Sequence, residues 1–158
     1  MSLDLVRVDD RLIHGQVVVG WGRELKPDLL VLADDDVAAN DWEQDLYRVG
    51  VPDGMEVEFV SVAGAARSID GWANATKRTI VLVSNIDSLA RLCEAAPAIR
   101  RVNLGGVHSQ GERHQCLEYL FLDDTEAEQL RALAGRGIEI TAQDLPTTTP
   151  IALAELLG

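Results

Sequence analysis

Short runs of Val, Ile and Leu recur along this chain and alternate with segments whose apolar residues repeat at helical spacing. The run LLVLA (Leu29–Ala33) is apolar throughout, which is typical of a strand that is covered on both faces of its sheet. Such strands occur in parallel sheets, where a helix usually connects each strand to the next. The pattern therefore predicts an α/β fold, with a mainly parallel seven-stranded sheet and helices on both faces.

The individual elements can be placed on the sequence. Strands are predicted at 3–8, 29–33, 55–62, 78–84, 99–106, 118–122 and 138–145. Helices are predicted at 15–25, 40–50, 63–73, 85–97, 123–137 and 150–158. Between the fifth and sixth strands Gly, Ser, Gln and His dominate, which disfavours a helix, so the sixth strand is expected to return by a loop and to run antiparallel. Because no linker or repeat interrupts the pattern, we expect residues 1–158 to form a single domain.

Charge and composition exclude several classes of function. The chain has 26 acidic and 14 basic residues and a net charge of −12, which argues against nucleic acid because Lys and Arg are too few to replace phosphate counterions. No apolar run approaches the ~20 residues that cross a bilayer, and the start lacks the features of a signal peptide. We therefore expect a cytoplasmic protein without direct membrane insertion. The two cysteines, Cys93 and Cys116, form no CxxC, which excludes a disulfide framework and a four-thiolate zinc site.

The string RVDDRLIHGQV places a cluster of titratable residues where the first strand is predicted to end. Ligands of open α/β sheets bind beyond the carboxyl ends of the strands, and a helix that starts near Gly15 would offer free N–H groups to an anion. Arg11 carries a planar fork of donors that suits phosphate, and His14 is a nucleophile near neutral pH. Asp9 and Asp10 are expected to orient the imidazole ring. The cluster indicates a site that receives a phosphoryl group, although the same residues could form a salt-bridged turn with His14 packed under the sheet edge.

The same string resembles the signature of the IIB subunits of the mannose/fructose/sorbose family of the sugar phosphotransferase system (PTS). Three further segments are similar to later parts of that family: LADDDVAANDWEQDLYRVGVPDGMEVEFVSV, LVSNIDSLARLCEAAPAIRRVNLGG and GIEITAQDLP. The resemblance implies that His14 accepts a phosphoryl group from a phosphohistidine of a IIA protein, with Arg11 as its matched neighbour. The group would pass to a sugar that enters through the membrane subunits IIC and IID, with no metal or organic cofactor. The family also suggests Nδ1 as the phosphorylated nitrogen, and its members are often dimeric, which leaves a homodimer open.

Four more residues are candidates for contact with the phosphoryl group. They are Gly15 and Gln16 at the predicted helix start, Ser84 at the end of the fourth strand, and His108 in the loop after the fifth. Ser84 could donate to a phosphate oxygen or cap the next helix, a role for which Asn85 competes. His108 matches some members of the family, whereas others carry different residues there.

Two metal sites are conceivable but disfavoured. The acids at 34–36 could hold Mg²⁺, yet successive residues seldom converge on one ion, so a solvated loop with helix-capping acids is expected. His14, His108 and His114 lack the spacing of a zinc site, and either His108 or Arg113 is expected near the phosphate instead.

Two other functions share this pattern. One is a regulatory protein of the same fold, whose phosphorylation at His14 reports sugar status without a transporter of its own. The other is a metal-dependent hydrolase built on His14, Asp9 and Asp10.

The remaining aromatic and thiol side chains are expected to be structural. Trp21, Trp42 and Trp72 fall on predicted helices and are expected to pack against the sheet. Cys93 is expected to be a small buried thiol.

Overall fold

The structure is a computed structural model that describes residues 3–157, apart from the side chain of Gln16. Its strands are β1 (Leu3–Val8), β2 (Leu29–Ala33), β3 (Glu56–Val60), β4 (Thr79–Val83), β5 (Arg101–Leu104), β6 (His114–Leu117), β7 (Leu120–Leu122), β8 (Glu139–Ala142) and β9 (Ile151–Ala152). A π-helix (Gln16–Trp21) runs directly into α1 (Gly22–Leu25). The other helices are α2 (Asp35–Ala38), α3 (Asp41–Val49), α4 (Val62–Asn74), α5 (Ile86–Ala95), α6 (Asp124–Gly135) and α7 (Leu153–Leu157).

Within residues 3–157 the main sheet has seven strands in the order β3-β2-β4-β1-β5-β8-β9. All neighbours pair in parallel except β8 and β9, which are antiparallel. The predicted mainly parallel sheet of seven strands is therefore confirmed. The strands β2, β3 and β4, which follow β1 along the chain, lie on one side of it, and β5 lies on the other. The order of strands therefore reverses beside β1. Open α/β sheets bind ligands at such a reversal.

One member of the sheet differs from the prediction. The sixth predicted strand lies outside the main sheet and pairs antiparallel with β6 as a two-stranded hairpin. The seventh place is taken by β9, in a segment that was predicted to be helical. Only two residues of β9 pair with β8, and so short a strand leaves no periodic signal in the sequence.

Helices cover both faces of the sheet, as predicted. Alternate residues of the central strands point to opposite faces. On one face Val81 and Val83 join a large core cluster with Ile69 of α4, Leu89 of α5 and Leu130 of α6. On the other face Ile80 and Leu82 pack with Leu12, Ile13 and Val17, and with the half-buried Tyr47 of α3. This second, smaller cluster lies directly beneath the loop that carries the titratable residues.

The structural predictions for Trp and Cys are confirmed except at one position. Trp21 is buried and Trp72 packs against the main core, but Trp42 is 70% exposed. The prediction for Trp42 is wrong because Gln44 and Tyr47 make the inward contacts of α3 instead. Cys93 is buried, and this burial raises the pKa of its thiol to about 12.

Among the helices of residues 3–157, none combines the length and apolar character that a membrane span requires.

The burial of β4 predicts a large difference between two otherwise identical substitutions. Leu82→Ala removes a fully buried side chain from the second cluster, so we expect it to lower the free energy of unfolding by about 2–5 kcal/mol. Leu46→Ala on α3 is the matched control, because that leucine is 54% exposed. Urea denaturation measures both, and similar losses in the two variants would contradict the described packing.

Candidate functional site

The loop from Asp9 to His14 lies at the carboxyl end of β1, between the ends of β4 and β5. The Asp9 N–H donates to the Val83 carbonyl over 3.0 Å, and the Asp10 N–H donates to the Gly106 carbonyl over 2.9 Å. The loop is therefore fixed to the ends of both neighbouring strands. It lies beyond the carboxyl ends of the strands, as the sequence predicted, and beside the strand reversal that the sheet order shows.

The His14 ring contacts the loop through its Nδ1 atom and faces Asp9 with its Nε2 atom, which has no hydrogen-bond partner among the described residues. Its Nδ1 lies 2.9 Å from the Leu12 carbonyl oxygen, and its Nε2 lies 3.8 Å from Oδ2 of Asp9. The Nε2 atom is buried, whereas the side chain as a whole is 18% exposed. Leu12 adopts a left-handed conformation with φ of 58°, which is strained for a residue with a Cβ. This strained turn is what directs the Leu12 carbonyl toward the ring.

The helix after His14 begins in open space. The Val18 N–H donates to the His14 carbonyl over 3.0 Å, so the N–H groups of residues 15–17 precede the first helical bond. Gly15 is exposed, and a Cβ built on it would have nothing within 4 Å. A small anion therefore has room beside these N–H groups. The Gln16 side chain, also predicted to contact phosphate, lies outside the described part of the chain.

Asp9 is the buried acceptor at the centre of the loop. Its Oδ1 accepts from the Arg11 backbone N–H and from Arg11 Nε, both over 3.1 Å, and its Oδ2 accepts from Arg11 Nη2 over 3.2 Å. Burial alone would raise the pKa of Asp9, but the Arg11 hydrogen bonds, with the charges of His14 and Arg7, lower it below its ordinary value. Burial by itself would lower the pKa of Arg11. Its hydrogen bonds to Asp9 and the charge of that carboxylate have the larger combined effect, so the pKa of Arg11 lies above its ordinary value. Asp9 is therefore a carboxylate, paired with a guanidinium that remains 33% exposed.

Arg7 is the residue of this site that the sequence analysis missed. Its side chain is fully buried in β1, where it donates to Oδ1 of Asn103 and to the carbonyls of Gln143 and Asp144 over 2.7 and 3.2 Å. It also donates to Oδ2 of Asp9 over 3.4 Å. A signal was present, since a guanidinium between two valines near the end of a strand must find acceptors if that end is buried.

The two glycines after β5 make room for the two guanidinium groups. A Cβ at Gly105 would collide with the Arg7 guanidinium, and one at Gly106 would lie 3.2 Å from Nη2 of Arg11. Gly105 is also bonded to β1, because its N–H donates to the Val8 carbonyl over 2.7 Å. The close approach of backbone to Arg7 therefore requires glycine at position 105.

Asp10 does not orient His14 as predicted. Its carboxylate accepts from the His108 backbone N–H over 2.8 Å and lies 2.7 Å from His108 Nδ1. In this turn Asp9 points inward to the arginines, whereas Asp10 reaches the loop after β5. Arg113 of the same loop is bound to both carboxylate oxygens of Glu126 over 2.9 Å. Asp10 and Arg113 thus anchor this loop at its two ends.

Ser84 and the acids after β2 have structural partners. The Ser84 hydroxyl donates to Oδ1 of Asp34 over 2.7 Å, and Asn85 rather than Ser84 caps α5 by accepting from the Ser88 N–H. Asp34 also caps α2 by accepting from the Val37 N–H over 3.0 Å, as expected for helix-capping acids. Residues 3–157 contain no group of three or more His, Cys, Asp or Glu side chains that could hold a metal ion.

A parallel α/β sheet that presents a histidine, an arginine and a helix start at its strand reversal defines a class of small-ligand or group-transfer domains. Comparison with known proteins makes this specific. Residues 3–158 match the sequence model of the PTS system sorbose subfamily IIB component. The chain therefore belongs to this family, as its resemblance indicated.

The relatives include the PTS system mannose-specific EIIAB component of Escherichia coli, which is 30% identical over 158 residues covering 100% of this chain and 49% of that protein. The chain thus spans about half the length of the first curated relatives that it matches. The fructose-specific EIIB component of Bacillus subtilis is 25% identical over 93% of this chain and 90% of its own length.

Solved structures agree in fold with this chain. The crystal structure of the N-acetylgalactosamine-specific IIB component 1 from Escherichia coli has a TM-score of 0.88 and 28% identity, over 95% of this chain and 98% of that one. The structure of manxB from Thermoanaerobacter tengcongensis has a TM-score of 0.87 and 26% identity, over 99% and 95%.

The contact between Arg7 and the backbone predicts opposite effects for two glycine substitutions. Gly105→Ala forces the buried guanidinium away from its acceptors, so we expect a loss of about 2 kcal/mol or more in the free energy of unfolding. Gly71→Ala in α4 is the control, because a Cβ there meets nothing within 4 Å. It is expected to stabilise the helix by about 0.5–1 kcal/mol. A Gly105→Ala variant as stable as the unchanged protein would show that Arg7 does not occupy this position.

The lowered pKa of Asp9 predicts how stability depends on pH. A carboxyl group whose pKa is lower in the folded state stabilises the fold above its unfolded value, here 3.8, and loses that contribution as the pH falls through the folded value. We therefore expect the stability difference between the unchanged protein and Asp9→Asn to be fully present at about pH 5 and to shrink below about pH 4. Urea titrations of both proteins at each pH measure this stability difference. A difference that is undiminished at pH 2.5 would contradict the lowered pKa of Asp9.

Proposed function

We propose that this chain is the phosphocarrier of a sugar phosphotransferase system, acting in the cytoplasm as a single domain. His14 accepts a phosphoryl group from a phosphohistidine of a IIA protein and passes it to a sugar that enters through IIC and IID membrane subunits. The observation that carries the proposal is the placement of the His14 ring beside Asp9, Arg11 and a helix start with open space at Gly15. Membership of the IIB family supports the same conclusion.

The surroundings of the ring favour Nδ1 as the nitrogen that takes the phosphoryl group. The Nε2 atom is buried and faces the Asp9 carboxylate, so a phosphoryl group there would meet a like charge without solvent between them. Nδ1 lies 2.9 Å from the Leu12 carbonyl oxygen, and because a carbonyl only accepts, Nδ1 carries the proton in this position. Before transfer a rotation of the ring breaks this bond and brings Nε2, which is 3.8 Å from Asp9, into hydrogen-bond range. Asp9 then accepts from Nε2–H, which leaves the lone pair on Nδ1.

Each transfer exchanges one bond to phosphorus for another. The Nδ1 lone pair attacks the phosphorus atom, a P–N bond forms, and the P–N bond to the histidine of the IIA protein breaks. In the second transfer a sugar hydroxyl oxygen attacks the same phosphorus, the P–N bond to His14 breaks, and the hydroxyl proton passes to water. Both steps depend on position and charge rather than on covalent chemistry by other side chains.

The donors of the loop suit a phosphoryl group by their direction rather than by net charge. Arg7 and Arg11 both bind Asp9, and Asp144 and Asp10 also act on their charges, so the site holds no positive surplus. The Arg11 guanidinium, which is 33% exposed, and the N–H groups of residues 15–17, which precede the first helical bond, provide donors for phosphoryl oxygens. In this account the hydrogen bonds of Asp10, His108 and Ser84 hold the surrounding loops in place.

The proposal predicts a single phosphorylated residue. After incubation with phosphoenolpyruvate, the upstream carrier proteins and a IIA protein, we expect acid-labile phosphate on His14, and none in a His14→Ala variant that keeps the same fold. His108→Ala is the control and is expected to accept phosphate normally, because His108 is exposed and bound to Asp10. Peptide mapping by mass spectrometry reads out the site. Labelling of His14→Ala to the level of the unchanged protein would refute the proposal.

A further inference from the structure

An apolar surface stands out on α3. Three of the four large apolar side chains that are exposed within residues 3–157 belong to this helix: Trp42 (70%), Leu46 (54%) and Val49 (87%). Their spacing of four and three residues places them on one face of the helix, and we call this face the α3 stripe. Exposed apolar patches of a few hundred Å² commonly mark binding surfaces on soluble proteins.

The larger part of the α3 stripe is exposed rather than packed in the described fold. The helix is fixed from its other side by Tyr47, which packs into the smaller core cluster, and by Gln44, which donates to the carbonyls of Val37 and Ala38. Its N-terminus is capped by Asn40. The helix is therefore anchored mainly from its opposite side, and packing within the described fold does not account for the exposed part of the stripe.

The α3 stripe ends next to the loop that carries His14. A Cβ on Gly50, the residue after Val49, would lie 4.0 Å from Cγ2 of Ile13, the residue before His14. From standard chain dimensions, the Cα atoms of Val49 and His14 are then no more than about 16 Å apart. A standard interface covers roughly 800 Å² on each partner, which corresponds to a circle with a radius of about 16 Å. An interface of this size that is centred on His14 reaches the end of the stripe.

We propose that the α3 stripe is the docking surface for the protein that delivers the phosphoryl group to His14. The inference rests on the function proposed above, since only a macromolecular donor must cover both features at once. The stripe supplies a few hundred Å² of apolar surface, which suits the core of a transient interface but falls short of what a stable dimer of this chain needs. A carrier must dissociate after each transfer, and a small apolar core permits this.

Charge favours a donor whose binding face is basic. Asp41, Glu43 and Asp45 of α3 flank the stripe against a single basic residue, Arg48, and the chain as a whole carries a net charge of −12. A protein that carries a phosphohistidine needs positive groups around it. Such groups would be steered toward this acidic flank, which raises the rate of encounter.

The test replaces the α3 stripe without changing charge. The variant Trp42→Gln, Leu46→Gln, Val49→Gln keeps a good helix former at each exposed position. The control is Ala132→Gln, Ala134→Gln, on exposed positions of α6, whose Leu130 and Leu133 pack against the opposite face of the sheet. The rate of phosphoryl transfer is measured against the concentration of phosphorylated IIA protein. Phosphoramidate, a small nitrogen-linked donor that needs no docking surface, is used in parallel.

We expect the stripe variant to raise KM for phosphorylated IIA about tenfold or more with little change in kcat. Labelling by phosphoramidate and all rates of the control are expected to be unchanged. If the unchanged protein accepts nothing from IIA, the proposed function fails. If it does accept phosphate and the stripe variant has the same KM, the docking inference alone fails. Sedimentation showing that the variant converts a dimer to a monomer, with KM unchanged, would assign the stripe to self-association and overturn the inference.

Discussion

The contact between a buried carboxylate and two guanidinium groups is the interaction on which the rest of the site depends. Asp9 is fully buried, and a charge in that environment persists only when its oxygen atoms are bonded to positive partners. Arg7 approaches from within β1 and Arg11 from the loop, so the turn between them must close tightly over Asp9. This closed turn then fixes the position of the His14 ring.

Several local features follow from this arrangement. Leu12 takes a left-handed conformation to close the turn, and its carbonyl meets His14 Nδ1. Gly105 and Gly106 allow the end of β5 to pass over the guanidinium groups. Farther out, the pairing of Asp10 with His108 ties the next loop to the same turn. The site is therefore preorganised by buried contacts, while the surface around it is left to bind other molecules.

Much of the fold could be predicted from the sequence because burial on both faces leaves a strong signal. The run at Leu29–Ala33 is an example, and every parallel strand lies where the apolar runs placed it. The strand β9 could not be predicted, since pairing over two residues depends on a neighbour that is distant along the chain. Trp42 was misplaced for a related reason: helical spacing identifies one face of α3 but not whether that face turns inward.

The site could be predicted in outline but not in its connections. The position of His14, Arg11 and Asp9 after β1 followed from the fold and the family signature. The partners of Asp10 and Arg7 did not, because His108, Asn103 and Gly105 come from a strand and loop about 95 residues later. Such pairings are set by the sheet order, which placed β5 beside β1.

The most direct measurement of this account is the nitrogen spectrum of the His14 ring in the phosphorylated protein, with ¹⁵N-labelled imidazole and coupling to ³¹P. The account predicts phosphorus coupled to Nδ1 and a proton retained on Nε2, facing Asp9. Coupling of phosphorus to Nε2 would contradict it, because the buried carboxylate would then lie against the phosphoryl group rather than hold the opposite edge of the ring.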